Sequence, residues 1–88
     1  MTATQIREAV AAEVRAALAR DGRKAARLAE EAGISPAALS RKLRGLTPFY
    51  VEELLNIADA LNIDPAPLFV PRETQAGRDE RAAEPAAA

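Results

Sequence analysis

The sequence predicts an all-α fold that consists of one compact domain. Of its 88 residues, 22 are alanine, the residue with the highest helix propensity. The larger apolar residues recur at three- and four-residue spacing, and Ser, Asp, Gly and Pro stand where helices would begin or end. Only 21 apolar side chains are larger than alanine, which is enough for one thin core and too few for a second domain. We expect five helices within residues 1–71.

The first helix is expected over residues 5–20, with Thr4 as its N-cap and Gly22 near its end. Its inward face is formed by apolar residues at four-residue spacing: Ile6, Val10, Val14 and Leu18. The second helix is expected over residues 24–32. Gly33 would end it, because glycine readily adopts the left-handed conformation that terminates many helices.

The third helix is expected over residues 35–44 and stops at Gly45. Ser35 followed by Pro36 is a strong start signal, because serine caps a helix N-terminus and proline fits its first position. The larger residues that this helix would bury are Leu39 and Leu43.

The fourth helix, over residues 50–61, carries the clearest apolar stripe of the chain. That stripe consists of Val51, Leu54, Leu55, Ala58 and Leu61. Asp64 followed by Pro65 repeats the start signal and predicts a short fifth helix over residues 65–70. The residues that it would place on the core are Leu68 and Phe69.

A flexible tail is expected after the domain. Residues 72–88 contain no large apolar side chain, so this segment has nothing to contribute to a core. The domain is therefore expected to end at about residue 71.

Composition excludes several classes of function. The chain has no cysteine and no histidine, and so it has no disulfide and lacks the commonest general base and zinc ligand. Adjacent acids point different ways on a helix and are interpreted as solvated; the two pairs are Glu30-Glu31 and Glu52-Glu53. We expect no enzyme activity, no cofactor and no metal site. No apolar run approaches the ~20 residues of a membrane span and no signal peptide is evident, so a cytoplasmic protein is expected.

The charges of the chain are unevenly distributed. The formal net charge is −1 and the pI is near 5.4, values that by themselves weigh against nucleic-acid binding. Residues 20–44, however, carry seven basic and three acidic side chains, a net charge of +4. Residues 45–71 carry four acidic and no basic side chains. This asymmetry indicates a basic region that the total charge conceals.

Residues 24–45 have the spacing of a helix-turn-helix unit. Such a unit requires a small residue inside its first helix, a glycine in the turn and an apolar contact from the turn. Ala29, Gly33 and Ile34 meet these requirements. An ordinary helical hairpin would use the same residue types, so the spacing alone does not establish DNA binding.

The outward face of the third helix favours DNA binding. With Leu39 and Leu43 inward, a turn of 100° per residue leaves four residues outside: Ala37, Ala38, Arg41 and Arg44. Small residues let the helix approach base edges, and Arg41 is long enough to reach the O6 and N7 atoms of guanine. Arg44, one turn later, and Lys24, at the start of the second helix, suit phosphates. The alternative is that these basic residues only make the surface soluble.

Three segments make the sequence similar to a known family. They are LAEEAGIS at 28–35, LSRKLRG at 39–45 and ELLNIADALNIDPAPLF at 53–69. The chain resembles the phage-repressor and Cro-like helix-turn-helix family, also called lambda-repressor-like or Xre-like, over about residues 6–70. The resemblance implies a compact five-helix domain that binds double-stranded operator DNA, usually as a symmetric dimer, with its third helix in the major groove.

The resemblance and the outward face together predict an interface of two parts. The residues expected to contact bases are Pro36, Ala37, Ala38 and Arg41. The residues expected to contact phosphates are Arg23, Lys24, Ala25, Ser35, Ser40, Lys42 and Arg44. Ala25 and Pro36 stand where many family members have glutamine or another polar donor. Base recognition is therefore expected to depend mainly on Arg41 and on DNA shape.

Two functions are compatible with these features. The first is a sequence-specific transcription regulator, a small phage-type repressor or Cro-like protein that binds an inverted repeat as a homodimer. Phe49, Tyr50 and Phe69 are candidate anchors for the dimer contact; the alternative is that these rings belong to the core. The second function is that of an antitoxin or co-regulator, whose acidic fourth helix or tail binds a partner protein.

Overall fold

The computed structural model describes residues 2–69, and this part of the chain contains five helices. They are α1 (Ala3–Asp21), α2 (Ala25–Ala32), α3 (Pro36–Leu43), α4 (Val51–Leu61) and α5 (Ala66–Phe69). The expected all-α fold with five helices is confirmed, and each observed helix end lies within two residues of the expected one. The expected domain end at residue 71 and the tail over residues 72–88 lie outside the described residues.

The first helix begins earlier than expected, because Thr2 caps it in place of Thr4. The Gln5 N–H donates to Thr2 Oγ1 at 3.2 Å, and the Thr2 N–H donates to Gln5 Oε1 at 2.8 Å. This reciprocal pair is a capping box, which satisfies two backbone donors at the helix N-terminus. Thr4 cannot form such a pair, because the residue three positions later is Arg7 and not glutamine or glutamate.

The core receives one large, fully buried side chain from each helix. In chain order these are Val14, Leu28, Leu39, Ile57 and Leu68. The helix α1 packs against α3, α4 and α5, and α2 packs against α3 and α4. Ala11 and Ala29 are also fully buried, so small residues as well as large ones fill the interior.

The buried stripe of α4 is rotated relative to the expected one. Its members are Leu54, Ile57, Ala58 and Leu61. Ile57 was not part of the expected stripe, whereas Val51 and Leu55, which were, are exposed. At 100° per residue, Leu55 lies about 110° around the helix from the centre of the buried set. Its side chain is consequently 46% exposed.

Ile6 is exposed, although it was expected on the inward face of α1. It lies near the start of the helix and lines a shallow apolar groove together with Pro48 and Phe49. The closed part of the core begins further along α1, at Ala9 and Val14. The first turns of α1 therefore contribute a rim to the domain and little to its interior.

Candidate nucleic-acid interface

The helices α2 and α3 form the expected helix-turn-helix unit. Gly33 has a φ of 71°, a left-handed conformation that favours glycine. The next residue, Ile34, is buried in the core, and its N–H donates to the Ala29 carbonyl at 2.9 Å. The turn thus holds α3 in a defined position on α2.

The first turn of α3 is exposed and carries small residues. Ser35 is the N-cap, and its Oγ accepts a hydrogen bond from the backbone N–H three residues later at 3.2 Å. Pro36 and Ala37 are exposed, and so is Arg41, one turn further along. Leu39, on the opposite side of the helix, is buried. Three of the expected base-contacting residues therefore share one exposed face.

Ala38 does not belong to that face. It is half-buried and packs against the hydrophobic core. Its position, about 100° around the helix from Ala37, turns it toward the buried side of α3. Its partial burial makes it a weaker candidate for a base contact than the other three residues.

The C-terminal end of α3 carries the exposed Arg44. Its backbone N–H donates to the Ser40 carbonyl at 3.2 Å, and its Nε lies 3.4 Å from the same oxygen. Ser40 is itself exposed and lies between Pro36 and Arg44 on the outward face, since these residues follow at four-residue spacing. Polar and basic groups thus continue the exposed face to the end of the helix.

Lys42 is buried, which corrects its assignment to the phosphate-contacting set. It lies about 60° around α3 from Leu39, on the inward side. Its Nζ donates to both carboxylate oxygens of Glu53 on α4, at 2.5 and 2.6 Å. The side chains of Lys42 and Glu53 are 9% and 18% exposed. The Lys42 charge is therefore neutralised inside the domain and does not face outward.

The N-terminal end of α2 places Lys24 and Ala25 at the surface, as expected. Arg23 has a different environment. Its guanidinium pairs with Asp21 and Glu31, each at 2.5 Å, and donates to the Ala60 carbonyl at 2.9 Å. The hydrogen bond to Asp21 and the nearby carboxylates raise the pKa of Arg23 above its ordinary value. Arg23 thus joins the α1–α2 loop to the end of α4 and is not free to contact phosphate.

Two of the acids interpreted as solvated have basic partners. Glu31 accepts from Arg23 and from Arg27, the latter at 2.6 Å. Glu53 pairs with Lys42. Three basic residues of the basic region are therefore paired within the domain. The basic residues that remain on the exposed surface near α2 and α3 include Lys24, Arg41 and Arg44.

Arg15 helps to hold α3 in place, a role that the sequence did not indicate. It lies on α1, and its Nη1 donates to the Leu43 carbonyl at the end of α3. The two residues are 28 positions apart, so no local spacing connects them. This bond satisfies a carbonyl at a helix C-terminus, where partners within the helix are absent, and it ties α3 to α1.

Within residues 2–69 there is no cluster of three or more residues able to hold a metal ion. The same residues include no helix long and apolar enough to cross a membrane.

Two solved structures of the clp gene regulator ClgR from Corynebacterium glutamicum are similar to this chain. One has a TM-score of 0.72 at 29% identity and covers 93% of this chain and 85% of that chain. The other has a TM-score of 0.69 at 32% identity, over 74% of this chain and 84% of that chain. No curated protein matches the sequence.

The family comparison agrees with the geometry. Residues 13–72 match the family described as Cro/C1-type HTH DNA-binding domain, a range that contains α2 to α5 and the last nine residues of α1. This confirms the Xre-like resemblance and the prediction that the chain is not an enzyme. The chain is a helix-turn-helix DNA-binding transcriptional regulator, and it belongs to the Cro/C1-type family.

Proposed function

We propose that this regulator recognises a specific operator by inserting α3 into the major groove, with Arg41 as its main base-contacting side chain. The observation that carries the proposal is the exposed face of Pro36, Ala37 and Arg41 on a helix whose other side is anchored in the core by Leu39. Small residues at the leading end permit close approach, and an arginine can bind guanine through two hydrogen bonds.

The phosphate contacts that we propose flank this face on both sides. Lys24 and the Ala25 N–H lie at the N-terminus of α2, where backbone donors and the helix dipole favour an anion. Ser35, Ser40 and Arg44 are exposed along α3. Such contacts fix the register of the protein on the duplex without distinguishing bases.

Selection of duplexes from a randomised library by the unmodified protein tests the proposal. We expect a defined motif, and we expect the selected duplex to bind at least a thousandfold more tightly than random duplex, on the order of what specific regulators achieve. Promoters of the clp genes of the same genome are useful additional probes, because the similar protein ClgR is a clp gene regulator. Equal affinity for selected and random duplexes would contradict the proposal.

We further propose a homodimer on DNA. One copy of α3 offers few base contacts, whereas two copies spaced one helical turn apart would bind a complete operator. Tyr50 and Phe69 support a contact around α4 and α5, since they are 64% and 40% exposed. Phe49 packs against the core and is a weaker anchor. An inverted repeat in the selected motif is the expected result, and a single unrepeated half-site would contradict it.

The regulatory outcome that we propose is repression, of the kind exerted by small phage-type repressors and Cro-like proteins. A dimer in the major groove excludes other proteins from the same bases. A reporter whose promoter overlaps the selected operator should lose expression when the protein is supplied. Increased expression would contradict repression while leaving DNA recognition intact.

The second candidate function is that of an antitoxin or co-regulator that binds a partner protein. The observation in its favour is the exposure of Val51 and Leu55 on the acidic helix α4. Sedimentation of the protein alone and with the selected duplex separates the candidates. Substitution of Leu55 by Glu should disrupt the homodimer if α4 forms the dimer contact. A partner-binding role predicts a monomer that the substitution does not change.

A further inference from the structure

We propose that Glu53 is a positioning residue for base recognition. Through Lys42, its carboxylate holds the end of α3 against the start of α4 and so determines where Arg41 enters the groove. The inference rests on the proposed function, in which α3 contacts bases, and adds a residue that lies outside the DNA-contacting face.

The contacts of Glu53 connect two helices and the loop between them. Its two carboxylate oxygens accept from Lys42 Nζ at 2.5 and 2.6 Å. One of them, Oε1, also accepts from the Tyr50 N–H at 2.8 Å. The Lys42 ammonium in turn lies 4.6 Å from the centre of the Tyr50 ring, within the range of a cation–π interaction. A single carboxylate therefore closes the N-terminus of α4 and binds the last turn of α3.

This arrangement acts on Arg41 through the backbone. Lys42 follows Arg41 directly, and the Leu46 N–H donates to the Arg41 carbonyl at 3.0 Å. A shift of the Lys42 backbone therefore moves the Cα atom from which the Arg41 side chain extends. Recognition by bidentate hydrogen bonds tolerates little displacement, because both donors must meet their acceptors together.

The burial of the pair argues for positioning over a gain in stability. Two charges removed from water lose hydration that their attraction only partly replaces, and apolar pairs of similar size are often as stable. What the pair adds is a fixed geometry, since a buried ammonium that leaves its carboxylate becomes an unpaired buried charge. In this chain that geometry lies next to the residue proposed to contact bases.

A pair of matched variants, which change the net charge equally, tests the inference by the difference between their affinities. Glu53→Gln and Glu52→Gln each remove one negative charge from the first turn of α4, and Glu52 is exposed. Electrostatics alone would strengthen binding to the DNA polyanion equally in both. The glutamine at position 53 keeps an oxygen for the Tyr50 N–H and loses the ion pair. We expect Glu53→Gln to bind the library-selected duplex about tenfold more weakly than Glu52→Gln, the size of one lost base contact, with equal binding to random duplex.

Equal binding of the two variants to both duplexes would overturn the inference. Circular dichroism at the assay temperature establishes that each variant is folded.

If Glu53→Gln unfolds, the double variant Lys42→Met/Glu53→Gln decides, because it removes the pair without a change in net charge and leaves no unpaired buried charge. It should lose about tenfold in the ratio of selected to random affinity, with an unchanged salt dependence. A ratio equal to that of the unmodified protein would refute the positioning role. If the unmodified protein itself shows no preference, the proposed function fails first, and the inference fails with it.

Discussion

Arg41 and Lys42 are adjacent in sequence and have opposite environments. Arg41 is exposed on the outer face of α3, whereas Lys42 is buried and paired with Glu53. Helix geometry explains the difference, because a step of 100° separates the outward face from the inward one. A run of basic residues on a helix therefore does not have a single role, and each residue must be assigned from its own angle.

Substitution of Arg41 should affect one base position. We expect Arg41→Ala to cost about 1–3 kcal/mol at the selected duplex and to relax preference at one position in each half-site. Fold stability should change little, because the side chain is exposed. Fluorescence anisotropy with selected and random duplexes measures the effect. Unchanged affinity for both duplexes would mean that α3 does not contact bases through this residue.

Lys24 and Arg44 should behave differently from Arg41. Alanine at either position is expected to weaken binding to selected and random duplexes alike, because phosphate contacts carry no sequence information. Each substitution should also reduce the magnitude of the negative slope of log affinity against log salt by about 0.9, because one phosphate contact is lost. Titrations at several salt concentrations measure the slope, and Arg41→Ala serves as the comparison. A loss confined to the selected duplex would instead assign the residue to base recognition.

At the scale of single elements, local signals predicted the helices well. Ser35-Pro36 and Gly33 act through their own backbone and their nearest neighbours, so their consequences could be inferred from a few residues. The ion pair of Lys42 with Glu53 and the bond from Arg15 to Leu43 could not be inferred in this way. They join residues 11 and 28 positions apart, and only the packed helices bring them together.

The N-terminus of α1 offers a test of one such local signal. Thr2→Ala removes the hydroxyl of the capping box and should lower the free energy of unfolding by about 0.5–2 kcal/mol. Thr4→Ala changes a helical residue with no capping role and should stay within about 0.5 kcal/mol of the unmodified protein. Urea unfolding followed by circular dichroism compares the two. Equal losses would show that the cap contributes nothing measurable.

At the scale of the whole molecule, one large side chain from each helix forms the interior. Ile57→Ala is therefore expected to lower the free energy of unfolding by about 2–5 kcal/mol. Leu55→Ala on the same helix should cost much less, because Leu55 already has 46% of its surface in solvent. Thermal unfolding measures both variants. A larger loss of stability in Leu55→Ala than in Ile57→Ala would favour the buried stripe that was expected from residue spacing.

Removal of residues 73–88 should leave thermal stability nearly unchanged. The segment contains no large apolar side chain, and the cluster of buried core residues in the described chain lies between Val14 and Leu68. Differential scanning fluorimetry of the full chain and of a chain ending at residue 72 makes the comparison. A large fall in melting temperature would show that the segment packs on the domain.

The pairing of Lys42 with Glu53 also constrains how this domain can diverge during evolution. A lone apolar substitution at position 42 leaves a carboxylate without its partner, and a lone apolar substitution at position 53 leaves a buried ammonium, which costs more than replacing both. Lineages should therefore exchange the two residues together or pass through intermediates with weakened operator recognition. An alignment of relatives is expected to show acidic residues at position 53 where position 42 is basic, and neutral residues there where position 42 is apolar. Independent variation at the two positions would indicate that the domain tolerates either residue alone.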